Sequence, residues 1–178
     1  MLQITVPATE IYDEKTNKFV EIKEHNLRLE HSLVSLSKWE SKWQKPFISS
    51  KKNEEELRDY IRYMTITQNV DPKIYYCLTD KNFLEIRDYI DSPMTATTIN
   101  EVKGKRNREI ITSEIIYYWM ISLNIPFECE KWHLNRLLML IRVCNIKNEP
   151  KKKPNPKTSA QRRKAINDAR RNKYGTRG

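Results

Sequence analysis

Glycine is almost missing from this sequence, and its scarcity constrains the fold more than any other feature. The 178 residues contain three glycines, Gly104, Gly175 and Gly178, so the first 150 residues hold a single one. Glycine takes positive φ angles without steric cost and lets the backbone approach a phosphate closely. Walker A loops, dinucleotide fingerprints and nucleophile elbows all need glycines at fixed spacing, and the sequence contains none of these motifs. A many-stranded sandwich with glycine-rich hairpin turns is disfavoured as well.

Charge divides the chain into two parts. The formal net charge is +10, but residues 1–150 carry 22 basic and 22 acidic residues, whereas residues 151–178 carry 11 basic residues and one acid, Asp168. A neutral segment of this length can bury its own core. We therefore predict a neutral, mainly helical domain with an N-terminal β-hairpin over 1–150, and a basic linker with a helix-forming segment over 151–178.

The first thirty residues have the two-residue period of strands. Leu2, Ile4 and Val6 alternate with polar residues, a turn-rich segment follows at 13–17, and apolar residues resume at Phe19 and Val20. This pattern predicts a β-hairpin with a loop. Leu27 and Leu29 indicate a third short strand, and β-branched residues on either side of Lys103-Gly104-Lys105 predict a second hairpin.

Helical spacing dominates the rest of residues 1–150. Capping residues precede apolar residues at three- and four-residue intervals near 53, 71, 79 and 112. A segment at 113–123 is apolar all round, and another at about 128–144 has a wide apolar face. We predict that these two helices form an antiparallel pair in the main core. The fold class is α+β, predominantly α-helical, with a small N-terminal antiparallel hairpin sheet, a central antiparallel helix pair and a basic C-terminal tail.

The cysteines and histidines give no catalytic or metal signature. Cys77, Cys129 and Cys144 form no CxxC pair, and His25, His31 and His133 lack metal-ligand spacing. We expect buried free thiols, as in a reducing cytoplasm. A nucleophilic pair of Cys129 and His133 is conceivable at a spacing of four residues, but such pairs usually join distant segments. We therefore predict a protein that is not an enzyme and has neither a cofactor nor a metal.

One aromatic segment is a candidate binding surface. Trp39 and Trp43 lie four residues apart, on one helical face, and Phe47 follows. They are candidate protein-binding residues, since tryptophan is enriched in interface hot spots. Two alternatives stay open, which are packing of the helix on its own domain and stacking on nucleic-acid bases.

The basic segment is the second candidate surface. Its residues suit electrostatic contact with nucleic acid or with an acidic protein surface, and phosphate contacts alone carry no sequence specificity. The candidate contact residues are Lys151, Lys152, Lys153, Arg162, Arg163, Lys164, Arg170 and Arg171.

No secretory signal and no apolar run of membrane-spanning length is found, so we expect a soluble protein made in a cytoplasm.

Three blocks of the sequence resemble small proteins of the tail-morphogenesis region of tailed phages, in particular siphophage tail assembly chaperones. They are EHSLVSLSKWESKWQKPF at 30–47, DYIDSPMTATTI at 88–99 and the stretch NREIITSEIIYYWM onward at 107–148; the ending in TRG is also similar. The resemblance implies a protein of the host cytoplasm that keeps the helical tape measure protein soluble and guides tail tube subunits around it. It implies no cofactor.

The resulting functional prediction is a chaperone-like protein that binds a helical client, with tape measure or tail tube proteins as its partners. The alternative is a nucleic-acid-binding or virion structural protein that uses the basic segment. Incorporation into the virion and assembly into a homo-oligomer stay open at this point.

Overall fold

The computed structural model describes residues 1–13, 17–99, 109–148 and 156–175. It contains four short strands and six α-helices, which confirms the α+β, predominantly helical class. The elements are β1 (Leu2–Val6), β2 (Thr9–Asp13), β3 (Lys18–Ile22), β4 (His25–Leu29), α1 (Leu33–Trp43), α2 (Glu54–Met64), α3 (Asp80–Asp91), α4 (Ser113–Ser122), α5 (Leu134–Asn148) and α6 (Pro156–Tyr174). Two 3-10 helices, Pro72–Tyr76 and Phe127–Lys131, precede α3 and α5.

The four strands form one long antiparallel hairpin. β1 pairs with β4, from Leu2 opposite Leu29 to Val6 opposite His25, and β2 pairs with β3 in the same register. The ladder is interrupted at Pro7, which has no N–H to donate. The predicted third strand is therefore the base of the second arm of the hairpin, and it pairs with the first strand of the chain.

The base of the hairpin carries its buried face. Ile4, Val6, Leu27 and Leu29 are all buried, as the two-residue alternation predicts. Helix α3 packs on β1, where the Asn82 side-chain amide donates a hydrogen bond of 3.1 Å to the carbonyl of Thr5. The hairpin base is thus part of the main core.

An antiparallel helix pair is present, but it consists of α1 and α2. Ser35 lies against Tyr60, and four residues further along α1 the Trp39 indole donates to the carbonyl of Glu56, so the two helices run in opposite directions. Lysines 42 and 45 also form ion pairs with Asp59 and Glu56. The loop 44–53 connects the two helices.

The prediction that α4 and α5 form the central pair is wrong. Helix α4 packs on α1, and it buries only Ser113, Ile116 and Met120, whereas Tyr118 and Ile121 are exposed. A carboxylate of α1 fixes the start of α4, since Glu40 accepts a hydrogen bond of 2.7 Å from the backbone N–H of Ser113. Although α4 has apolar residues on all sides, the fold buries only one of its faces.

The predicted helix at 128–144 is two elements. A 3-10 helix ends at Lys131 and α5 begins at Leu134, because the backbone between them pairs with the residues that precede α1. His133 forms an antiparallel bridge with Ser32, and the N–H of Leu134 donates to the carbonyl of His31 at 2.7 Å. A tertiary contact overrides local helix preference here.

Helix starts were predicted well. Asn53, Asp71 and Thr79 cap α2, the first 3-10 helix and α3, each accepting a hydrogen bond from the backbone of the first turn. Thr112 precedes α4 as predicted, but its side chain makes no capping bond. The predicted second hairpin around Gly104 lies outside the described residues, and the described flanks at 94–99 and 109–112 contain no strand.

Left-handed positions are filled mostly without glycine. Five described residues other than glycine have positive φ, and three of them are asparagine, the residue that tolerates this region best. The five residues are Asn17, Gln44, Asn69, Met94 and Asn124, and Gly175 after α6 is the described glycine with positive φ. Asparagine thus occupies three of these six positions, and glycine occupies one.

The chain separates into two compact units, Met1–Ile146 and Lys147–Gly178. The first contains the hairpin, α1 to α4 and most of α5. The second contains α6, which ends at Tyr174 before Gly175 and whose described side chains at 160–174 are all exposed. Helix α6 begins at Pro156, a residue that suits the first turn of a helix.

Candidate binding surfaces

An apolar groove lies between α2 and α3. The amphipathic pattern of each helix creates it, because α3 carries apolar residues at 83, 86 and 90 and a further one at 84, more than one contact face can bury. The groove has a volume of about 390 Å³. Its apolar lining consists of Leu57 and Ile61 from α2 with Phe83, Leu84, Ile86 and Ile90 from α3.

A second cavity continues this surface toward α5. It has a volume of about 460 Å³ and shares Leu57 and Ile90 with the first. Phe47, Ile48, Leu134 and Leu138 supply its other apolar walls, and its polar lining is His31, Lys52, Asp91 and Asn135. We call the two cavities together the α2–α3–α5 groove.

The exposed side of α3 is acidic. This helix carries four carboxylates against two basic residues, and the pair Lys81 and Glu85 is joined at 3.8 Å. Asp80 and Arg87 lie in the wall of the groove itself. Lys52 and Asp91 line the second cavity, so the charges in the lining of the two cavities balance although α3 as a whole is acidic.

Two buried histidines lie beneath the groove. The His31 Nδ1 atom shares a hydrogen bond with the hydroxyl of Tyr60, and the ring of His31 contacts that of His133 edge to face with centroids 5.1 Å apart. Burial, together with the smaller effect of the nearby His133, lowers the pKa of His31 from 6.5 to about 3. Burial also raises the pKa of the Tyr60 hydroxyl. Both groups are therefore neutral at pH 7.

Both ring nitrogens of His133 bind backbone groups. Nε2–H donates to the carbonyl of Tyr89 at 3.0 Å, and Nδ1 accepts from the N–H of Asn135 at 3.3 Å. Burial lowers the pKa of His133, while burial raises the pKa of the Cys129 thiol. This geometry does not activate Cys129 as a nucleophile, since the imidazole is already engaged and the thiol keeps its proton.

The fold buries two residues of the aromatic segment, Trp39 and Phe47, and leaves Trp43 partly exposed. Trp39 is fully buried, with its Nε1–H donating to the carbonyl of Glu56 at 2.8 Å, and the buried Phe47 packs against it edge to face. Trp43 is half-buried, and its Nε1–H has no hydrogen-bond partner. Of the three candidate protein-binding residues, Trp43 is the one with substantial exposed surface, and Phe47 reaches the groove from its buried position.

The described basic candidates all lie on α6 with exposed side chains. They are Arg162, Arg163, Lys164, Arg170 and Arg171, and Lys173 is exposed on the same helix. Lys151, Lys152 and Lys153 lie outside the described residues. The structure thus places five of the eight candidate contact residues on one helix.

Among residues 1–13, 17–99, 109–148 and 156–175, no three His, Cys, Asp or Glu side chains come together in a way that would hold a metal ion. Within the same part of the chain, no helix has both the length and the apolar character that crossing a membrane requires. The three cysteines are free.

Comparison with protein-family models, with curated proteins and with solved structures gave no match to this chain. The surfaces above are therefore interpreted from their own chemistry. The apolar residues of α2 and α3 are evident in the sequence at helical spacing, but no binding surface was predicted from them. The signal was the adjacent pair Phe83 and Leu84, which widens the apolar stripe of α3.

Proposed function

We propose that this protein binds an amphipathic helix of a client protein in the α2–α3–α5 groove, as a chaperone-like binding protein without catalytic chemistry. The observation that carries the proposal is the exposed apolar lining of the groove, where Leu84 is 51% exposed at the rim and Ile61 is buried at the floor. Grooves of this kind recognise helices whose apolar residues recur every three or four positions.

The size and the walls of the groove support a helical occupant. The two joined cavities each fall within the usual volume range of binding pockets, and residues of α3 from 80 to 91 line them along most of that helix. In the cavity between α2 and α3 the polar lining residues, Asp80 and Arg87, are exposed, whereas the second cavity has the buried His31 in its lining. Apolar residues make up most of both linings, which suits the apolar stripe of a docked helix.

The charge of α3 supports a client with basic flanks. Its carboxylates outnumber its basic residues by four to two, so the helix has a net negative charge. Within the groove lining itself, Asp80 and Asp91 are balanced by Arg87 and Lys52. Complementary charge mainly increases the association rate and suppresses wrong partners. The client helix we propose has an apolar stripe bordered by lysine or arginine.

The resemblance to siphophage tail assembly chaperones suggests which protein supplies this helix. In that family the client is the long helical tape measure protein, whose apolar stripes need cover before assembly. A groove for one amphipathic helix suits such a client, because successive segments of a long helix offer the same recognition pattern.

The test is co-expression with fragments of the tape measure protein. We expect some fragments to become soluble and to co-elute with the chain in gel filtration. The variant Leu84→Glu places a carboxylate in the groove and should weaken the complex about tenfold or more.

The matched control is Ile66→Glu, since Ile66 is 48% exposed and lies outside the groove lining. It should bind like the unaltered protein. Failure of every fragment to associate would show that the tape measure protein is not the client. Equal binding by the Leu84→Glu and Ile66→Glu variants would show that the client does not bind in the groove.

A further inference from the structure

Helix α6 has a charge distribution that differs from that of an ordinary solvated helix. At 100° per residue, its six described basic side chains cover an arc of about 200°. They are Arg162, Arg163, Lys164, Arg170, Arg171 and Lys173, all exposed. Its single acid, Asp168, lies on the remaining arc. The basic side chains are thus spread over more than half of the circumference, with Ile166 and Tyr174 lying between them.

The remaining arc is too polar for a membrane surface. It carries Gln161, Asp168 and Asn172 with two alanines, Ala165 and Ala169. Helices that lie in a bilayer interface need a face of large apolar residues opposite the charges. The partner of α6 must therefore contact the cationic arc.

The width of the arc favours a partner that surrounds the helix on two sides. A flat acidic surface meets only one face of a helix, so it would leave part of a 200° arc unused. A helix of this kind is about 10–12 Å across, and the major groove of B-form DNA is about 12 Å wide with phosphates along both walls. The 19 residues of α6 span about 28 Å along its axis.

Arginine is the main cation of α6. The pairs Arg162-Arg163 and Arg170-Arg171 are eight residues apart, about 12 Å along the helix. The guanidinium group binds phosphate through two parallel hydrogen bonds, so arginine suits a phosphate wall better than lysine does. The two arginine pairs thus have a spacing that suits phosphates at two levels of one groove.

We propose that α6 binds double-stranded DNA by lying in the major groove, with its arginine and lysine side chains on the phosphates of both walls. This function goes beyond client binding and uses the other compact unit of the chain. The contacts to phosphate position the helix without reading bases, so the binding is independent of DNA sequence.

The experiment measures binding of the full chain to a short DNA duplex of random sequence by fluorescence anisotropy. Six phosphate contacts predict that affinity falls about a thousandfold between 50 and 200 mM salt, with a slope of roughly −5 in a plot of log affinity against log salt. Replacing the four arginines Arg162, Arg163, Arg170 and Arg171 by Gln should reduce this slope by about three to four.

The matched control neutralises four exposed lysines of the first compact unit, namely Lys18, Lys23, Lys38 and Lys51. This variant also loses four positive charges, but from the first compact unit. Its slope of log affinity against log salt should equal that of the unaltered protein. Leu84→Glu should also leave DNA binding unchanged, which separates this test from that of the client groove. Circular dichroism checks that each variant keeps its helix content.

Four results would overturn the proposal. They are salt-independent binding, equal losses in the arginine and lysine variants, tighter binding to single-stranded DNA or double-stranded RNA than to duplex DNA, and tighter binding to anionic vesicles or to an acidic polypeptide than to DNA.

Discussion

The carboxylate of Glu40, in α1, accepts a hydrogen bond of 2.7 Å from the backbone N–H of Ser113, 73 residues later in the chain. Its other oxygen accepts a bond of 2.7 Å from the N–H of Phe47. One buried side chain therefore fixes both the loop after α1 and the start of α4, a helix whose own Thr112 makes no capping bond.

Glu40→Gln should lower the free energy of unfolding by about 2–3 kcal/mol. Glutamine keeps the size of the side chain but turns one acceptor into a donor, which then faces a buried N–H. Urea denaturation at pH 7 measures the change. Glu55→Gln, on the exposed side of α2, is the control, and a similar small loss in both variants would contradict the role of Glu40.

Gln44→Gly should stabilise the protein by about 0.5–1 kcal/mol. Gln44 ends α1 with φ of 51°, a left-handed conformation that is unfavourable for a residue with a Cβ atom. Thermal unfolding measures the gain. Lys38→Gly in the middle of the same helix should instead lose about 1 kcal/mol, and a loss in both variants would show that the left-handed angle is not the cause.

Trp39→Phe should cost about 2–3 kcal/mol, whereas Trp43→Phe should cost less than about 1 kcal/mol. The two rings lie one helical turn apart, but only the Trp39 indole has a hydrogen-bond acceptor, the carbonyl of Glu56. Removing the unpaired N–H of Trp43 removes a buried polar group without a partner. Equal losses in denaturant titrations would contradict this difference.

Stability should fall as the pH decreases below 6.5. The unfolded chain takes up a proton on His31 near pH 6.5, whereas the folded chain does so only at about pH 3. Since the unfolded state binds more protons in this window, each pH unit lowers the free energy of unfolding by up to about 1.4 kcal/mol. The lowered pKa of His133 acts in the same direction.

Urea titrations between pH 7 and pH 4 measure this slope. His31→Gln keeps a hydrogen-bonding group for Tyr60 and removes the titrating ring, so its slope should be shallower. Above pH 7 the pH dependence of the two proteins should agree. An identical slope below pH 6.5 would show that His31 does not control acid unfolding.

Much of the local structure could be predicted, since its causes lie within a few residues. Asn53 and Thr79 start their helices because their side chains accept the first free N–H groups. The alternation of Ile4 and Val6 with polar residues indicates a strand with one buried face. The basic segment is evident from its composition alone.

Other features depend on residues far apart in the sequence. The break at His133 follows from pairing with Ser32, and the position of α4 follows from Glu40, so neither has a local signal. The groove exists because α2 and α3 leave Leu84 and Phe83 uncovered, although the same apolar pattern also describes a fully buried pair.

The sequence by itself determined the near absence of glycine, the division of charge at residue 150, the caps and the faces of the helices, because these depend on composition and on neighbouring residues. Only the tertiary structure decided that Trp39 is buried, that α1 pairs with α2, and that the apolar surface between α2 and α3 stays open. The physical reason is that burial depends on which distant surface covers a side chain, and an apolar pattern does not specify its partner.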